Sequence, residues 1–250
     1  MTAAARARMR VRVPLLAVGA AAWLVLVVHP AGVVHGSMPS MRWTPASLVA
    51  EAALMFAAMM VPLSGAPVRH VRDRSFARRR WRAVALFAAS YALPWIAATV
   101  VLLTAAAWIV AAEQPAVSAL AVMVVAVCQS SPQKQHCLNR CHAHSELAAF
   151  GVKADLDVLR FGFSHASWCI GSCFALMLLP MLFPRGQLAV MAGVTLWLAG
   201  ERFEKPMPPR WRWRGPTKIV RIALGQARVW LKRFERDAFV SRASTSHARP

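Results

Sequence analysis

Long apolar runs alternate along this chain with short basic runs, so that the two residue classes occupy separate blocks. The apolar blocks cover residues 13–28 (extending to 34), 46–68, 83–112, 115–128, 161–183 and 187–200. About 20 apolar residues suffice for a helix to cross the hydrocarbon core, where every backbone polar group must be bonded within the protein. The pattern therefore predicts an all-α fold, a polytopic transmembrane bundle of about six spans.

The lengths of these blocks differ, and the fourth and sixth are short for a span. The third block has thirty residues without a charge. A helix of that length must tilt, extend beyond the bilayer or kink, and Pro94 is the natural place for a kink. An Arg-rich start before the first block also fits a signal peptide, but the further apolar blocks favour a first span.

The basic residues predict the orientation of the spans. Four precede the first block, seven lie in 69–82, four in 131–160 and thirteen after residue 200, which makes 28 of the 30 Lys and Arg residues. Every second connection is thus basic, and the positive-inside rule assigns those connections to the cytoplasm. We expect a multi-pass protein of the bacterial inner membrane with both termini in the cytoplasm.

Three regions follow from this pattern. Residues 1–12 form a basic cytoplasmic N-terminus, 13–205 the transmembrane domain and 206–250 a basic cytoplasmic tail. In the tail, apolar residues recur at helical spacing between basic ones over 217–239, which predicts an amphipathic helix on the anionic inner leaflet. A partner-binding helix is the alternative. Nucleic-acid binding is not expected, because the basic residues separate membrane blocks instead of covering one folded face.

The fifth block carries the sharpest pattern of potential metal donors. His165, Cys169, Cys173, Met177 and Met181 are each four residues apart. In a helix each such step turns the side chain by only about 40°, so the first three share one face. In the second block Glu51, Met55 and Met59 have the same spacing, with Met60 beside them, and an intramembrane carboxylate such as Glu51 is usually functional or paired.

A second group of donors lies just before the fifth block. Its members are Cys128, His136, Cys137, Cys141, His142 and His144. Cys137 and Cys141 come four residues apart, so both thiols can reach one ion if this stretch is helical. Thiolate, imidazole and thioether donors suit Cu⁺ or Zn²⁺ rather than Mg²⁺ or Ca²⁺. The opposing interpretation is that these cysteines and methionines only fill the membrane core.

At these residues the chain resembles a bacterial domain family of unknown function, the predicted metal-binding integral membrane proteins. The resemblance covers roughly residues 50–205. It rests on residues 58–62, on 129–134 followed by Cys137-Leu-x-x-Cys141, on Gly162-x-x-His165 with Cys169-x-Gly-x-Cys173, and on Glu204-Lys205. The family usually has adjacent cysteines where Ser172 and Cys173 stand, Tyr at 128 and Arg at 142. Cys128 and His142 therefore offer compensating donors, which is a hypothesis.

Three functions remain open at this point. The first is binding of copper, or else zinc, at a cytoplasm-facing Cys/His cluster, for delivery to a metallochaperone or metalloenzyme partner or for transport. Its candidate ligands are Cys137, Cys141, His165, Cys169, Cys173, Cys128, His136, His142, Met59 and Met60. His29, His35, Met38 and Met41 would add an outer soft site. The second is a membrane thiol–disulfide oxidoreductase using the Cys137/Cys141 and Cys169/Cys173 pairs, and the third is a structural assembly subunit. No ATPase motif is visible, so ATP-driven transport by this chain alone is not expected. A non-enzymatic role is favoured over an enzymatic one.

Overall fold

The structure is a computed structural model that describes residues 3–28, 44–183, 186–215 and positions 221, 224, 225, 228 and 229. The chain divides into two compact units, Met1–Trp213 and Arg214–Pro250, and all helices named below belong to the first. The predicted outer soft site and most of the amphipathic tail helix (217–239) lie outside the described residues, and both stay predictions.

Every regular element of the described residues is helical, which confirms the all-α prediction. The helices are α1 (Ala3–Val28), α2 (Pro45–Met59), α3 (Gly65–Arg74), α4 (Arg80–Ala111), α5 (Pro115–Ser130), α6 (Pro132–His142), α7 (Gly151–Leu182) and α8 (Gln187–Glu201). Two short 3₁₀ turns, Pro62–Ser64 and Ala77–Arg79, precede α3 and α4. Each predicted apolar block contains a helix in the structure. Helix α4 runs through Pro94 without a break.

Three helical segments are long and apolar enough to cross a membrane. They are Met9–Val28, Ala77–Ala111 and Gly151–Leu182. Two bent pairs, α2 with α3 and α5 with α6, raise the number to five if each pair is one span. Helix α8 has 15 residues, or roughly 22 Å at 1.5 Å per residue, which is short for a span. The six-span arrangement therefore stays a prediction.

The bend between α2 and α3 measures 50° and lies at Pro62. Proline has no N–H, so the carbonyl of Ala58 lacks its usual helical partner. The Trp23 indole of α1 donates to that carbonyl over 3.1 Å. A side chain at Gly19 would collide with the Pro62 ring, so this glycine lets α1 approach the bend.

The bend between α5 and α6 measures 56° and depends on Ser131-Pro132. Ser131 has extended backbone dihedrals that end α5, and its hydroxyl accepts from the Lys134 N–H to begin α6. The Arg212 N–H donates to the Ser130 carbonyl over 3.0 Å and satisfies one free group at the end of α5. The bend turns α6 against α7, which decides the geometry of the site.

Helices α4 and α7 form the most extensive packing of the bundle. Each has 32 residues, so each is about 48 Å long and exceeds the roughly 30 Å hydrocarbon thickness. They approach closely at Gly162, where an added Cβ would collide with the Ser90 hydroxyl and lie 3.1 Å from the Phe87 carbonyl. The small residue at this crossing is typical of membrane helix packing.

Basic segments that are far apart along the chain lie close together at one end of the bundle. Arg79 and Arg82 contact the Asp155 carboxylate at 2.5 and 2.7 Å. The His70 ring lies 2.9 Å from the Ser145 carbonyl. The segment after α8 joins the same end through Asn139 with Met207 and His142 with Arg202. This arrangement agrees with the alternation of basic connections, while the side of the membrane stays a prediction.

Candidate metal site

The predicted donor stripe of α7 faces the protein interior. His165, Cys169, Cys173, Met177 and Met181 are all buried, with at most 5% of each residue exposed. A continuous α-helix from Gly151 to Leu182 carries them, so the four-residue spacing places them on one side as expected. That side packs into the common core of the bundle.

Three of the cysteines form one cluster, and they come from two helices. The Cys141 side chain, on α6, lies close enough to the Cys169 side chain on α7 for the two to interact. Cys173 also contacts the Cys169 side chain, and its thiol donates to the Cys169 backbone carbonyl over 2.9 Å. We call Cys141, Cys169 and Cys173 the thiol cluster. The thiol cluster contains members of both donor groups. The sequence alone could not show whether those groups form one site or two.

Two polar residues complete the surroundings of Cys169. The Tyr91 hydroxyl on α4 lies 3.1 Å from the Cys169 sulfur. The Arg202 guanidinium, just after α8, donates to the same sulfur. An arginine beside a buried sulfur favours its thiolate form, the form that binds metals. The sequence analysis missed both residues, because each is a single polar residue without a characteristic spacing.

His165 lies one helical turn before Cys169 and is enclosed by aromatic rings. Its ring centroid is 5.6 Å from that of Phe161 and 5.8 Å from that of Tyr91. Its Nδ1 atom is buried and has no hydrogen-bond partner in the described part of the chain. Leaving a buried polar atom unpaired costs about 1–3 kcal/mol, so a ligand to this nitrogen would remove a real penalty.

Two predicted cysteine ligands lie apart from the hydrogen bonds of the thiol cluster. Cys137 is buried against Gly171, where an added Cβ would lie 2.8 Å from the Cys137 sulfur. Cys128 is exposed. All five cysteines are free thiols, so neither of the predicted exchanging pairs is joined here.

The histidines of α6 have other partners. The His136 ring packs edge-on against Trp168 with centroids 5.7 Å apart. Both ring nitrogens of His142 face backbone carbonyls, those of Leu138 at 2.8 Å and Arg202 at 3.2 Å. In this orientation each ring nitrogen of His142 points at a carbonyl oxygen, so the ring would have to turn before a nitrogen could bind a metal.

The donors of α2 are buried as well. Met59 and Met60 are fully enclosed in the core that also contains Cys169. The Glu51 Oε2 atom is buried and lacks a hydrogen-bond partner among the described residues. The two methionines therefore face the interior of the bundle.

A buried ion pair lies close to the site and was not predicted. Lys134 Nζ is 2.8 Å from Glu201 Oε1, and both side chains are almost fully enclosed. Gln129 donates to the same carboxylate oxygen over 2.6 Å and accepts from the Lys134 ammonium. The pair connects the α5–α6 bend to the end of α8, directly before Arg202.

An open cleft of about 470 Å³ leads from the basic end of the bundle to His165. Its walls come from the end of α6, from the segment that follows it and from α7. They include Arg140, His144, Glu146, Arg160, Phe161 and Trp168. Partial burial, and next the neighbouring His70 ring, lower the pKa of His144, which disfavours the charged form of its imidazole. The cleft gives the buried donors a route to solvent.

The donor set fits a soft monovalent ion better than a conventional zinc site. Within residues 3–28, 44–183 and 186–215, no group of three or more Cys, His, Asp or Glu side chains is arranged to hold a metal. A structural zinc site needs four such donors. Two adjacent thiolates, by contrast, suffice for Cu⁺, which soft sulfur ligands select.

These observations define an all-helical protein with a buried thiol cluster. A family model described as "Copper chaperone", PpoB2, matches residues 49–226. The match covers more than half of the chain, so the chain belongs to this family. No curated protein and no solved structure matches the chain. The resemblance to a metal-related bacterial family is thus confirmed at that level, and copper is the metal that the family description names.

Proposed function

We propose that this protein is a membrane-embedded copper chaperone. In this proposal it holds Cu⁺ between the Cys141 and Cys169 sulfurs and delivers the ion to a metalloenzyme or metallochaperone partner. The observation that carries the proposal is the meeting of two thiols from different helices beside a partly buried arginine. The family description supplies the metal.

The surface of the bundle supports the membrane part of the proposal. Large apolar side chains point outward along several helices: Leu24, Leu93, Trp108, Met123 and Leu196 are each more than half exposed. Soluble monomers rarely expose apolar surface on this scale, whereas lipid accepts it. The basic end of the bundle then faces the cytoplasm and the anionic inner leaflet.

The chemistry of the site supports release as well as binding. Two sulfur ligands hold Cu⁺ without the closed four-ligand shell of a structural site, so a partner's thiol can enter the coordination sphere. The cleft beside His165 is the opening through which such a partner, or the ion, would reach the cluster. Cys173, His165 and the buried methionines are candidate auxiliary donors during that exchange.

Metal binding by the purified protein tests this function. The full chain is purified in detergent, loaded anaerobically with Cu⁺ and dialysed, and its copper content is measured. We expect about one ion per chain for wild type and a loss of most of it in Cys141→Ser and in Cys169→Ser. Cys128→Ser is the matched control, because its thiol is exposed whereas those of Cys141 and Cys169 are buried.

Equal copper content in all four proteins would contradict the proposed site. Thiol trapping in cells addresses the oxidoreductase alternative, because the Cys141 and Cys169 side chains interact between α6 and α7. A disulfide between them that forms and disappears during growth would favour redox chemistry over copper delivery.

A further inference from the structure

Arg202 is held in place beside Cys169 from several directions. Its guanidinium donates to the Cys169 sulfur, and its backbone N–H bonds to the Leu198 carbonyl over 3.2 Å. Its own carbonyl faces the His142 ring at 3.2 Å. The cation therefore belongs to the structure of the site and is not a mobile surface charge.

The carboxylate next in sequence does not neutralise this cation. The Glu201 carboxylate accepts from Gln129 and forms an ion pair with Lys134, so the Lys134 ammonium already balances its negative charge. Where the chain is described, no carboxylate forms an ion pair with Arg202. Arginine stays protonated at any physiological pH, so its positive charge is a permanent part of the field at Cys169.

The charge balance of the occupied site depends on this arginine. Two thiolates and Cu⁺ carry a net charge of −1, which the guanidinium reduces to zero. Two thiolates and Zn²⁺ are already neutral, so the same guanidinium leaves one positive charge uncompensated. An uncompensated charge in a buried site is strongly unfavourable.

We infer that Arg202 makes the thiol cluster selective for a monovalent over a divalent soft cation. This role rests on the proposed function and goes beyond it, because it assigns the choice between copper and zinc to one residue that is not a ligand. Arg202 is thus a specificity-determining residue that acts through charge.

The affinity ratio of the two ions tests this inference. Cu⁺ and Zn²⁺ binding to the full chain in detergent is measured by competition with chromogenic chelators for wild type, Arg202→Gln and Arg202→Lys. We expect the glutamine variant to shift the ratio toward Zn²⁺ by roughly 250-fold, which is the effect of one unit charge at roughly 5 Å and an effective dielectric constant of about 20. The lysine variant should keep the wild-type ratio.

The controls separate a charge effect from a loss of structure. Arg78→Gln removes the same charge at an exposed position and should leave the ratio unchanged. Arg202→Met is a second neutral variant in case the glutamine variant does not fold. A ratio that stays constant while both affinities fall would overturn the inference and leave copper binding intact. Absence of Cu⁺ binding by wild type would overturn the proposed function itself.

Discussion

The buried pair of Lys134 and Glu201 offers a sharp test of how the site is held together. Replacing Glu201 by Gln keeps the shape but removes the carboxylate charge that lies 2.8 Å from the enclosed Lys134 ammonium. At 2.8 Å and an effective dielectric constant of about 20, the attraction is about 6 kcal/mol before desolvation is subtracted. Because desolvation offsets much of it, the intact pair contributes little, whereas the loss of one partner costs about 3–5 kcal/mol.

Reversible unfolding in mixed micelles with increasing dodecyl sulfate, followed by tryptophan fluorescence, measures this cost. We expect Glu201→Gln and Lys134→Met each to lower the free energy of unfolding by about 3–5 kcal/mol. The double variant Lys134→Met with Glu201→Leu should recover most of that loss, since it buries no charge. Glu113→Gln is the matched control at an exposed position.

Two results would refute this account of the pair. A loss below about 1 kcal/mol in both single variants would mean that the side chains are solvated. A double variant that loses the sum of the two single losses would mean that the residues act independently.

Three further predictions follow from the packing and the hydrogen bonds. Gly162→Ala should destabilise the fold by about 1–3 kcal/mol through overpacking, while Gly193→Ala, with open space around it, should not; equal unfolding curves would argue against the α4–α7 crossing. Asp155→Asn removes partly exposed ion pairs and should cost at most about 1 kcal/mol, less at high salt; a large salt-independent loss in the same unfolding assay would count against this. Tyr91→Phe should weaken Cu⁺ binding in chelator competition by less than Cys169→Ser does, because it removes only a neighbour of the sulfur; an equal loss would make Tyr91 a ligand.

The helices could be predicted because their signal is local. Apolar runs and flanking charges identify membrane-type helices from residue type alone. The bends are harder to predict. Block 46–68 is a continuous apolar run that predicts one span, yet the helix breaks at Pro62 because the proline removes a helical hydrogen bond. Pro94 has the same local chemistry and leaves α4 continuous, so tertiary packing decides between the two outcomes.

The stripe on α7 could also be predicted, since residues four apart share a helix face. The pairing of Cys141 with Cys169 could not, because it depends on the 56° bend that turns α6 against α7. The roles of Arg202 and Glu201 could not be predicted from the sequence for a similar reason. Their roles arise from contacts with residues 33 and 67 positions earlier, and nothing in their local sequence indicates those contacts.

The ligands of copper itself test the central claim most directly. X-ray absorption at the copper edge of Cu⁺-loaded protein reports the number of sulfur atoms bound to the ion. The account predicts two sulfur ligands in wild type and in Cys128→Ser, and one fewer in Cys141→Ser and in Cys169→Ser. A spectrum without sulfur ligands, or one that neither of the last two substitutions changes, would contradict it.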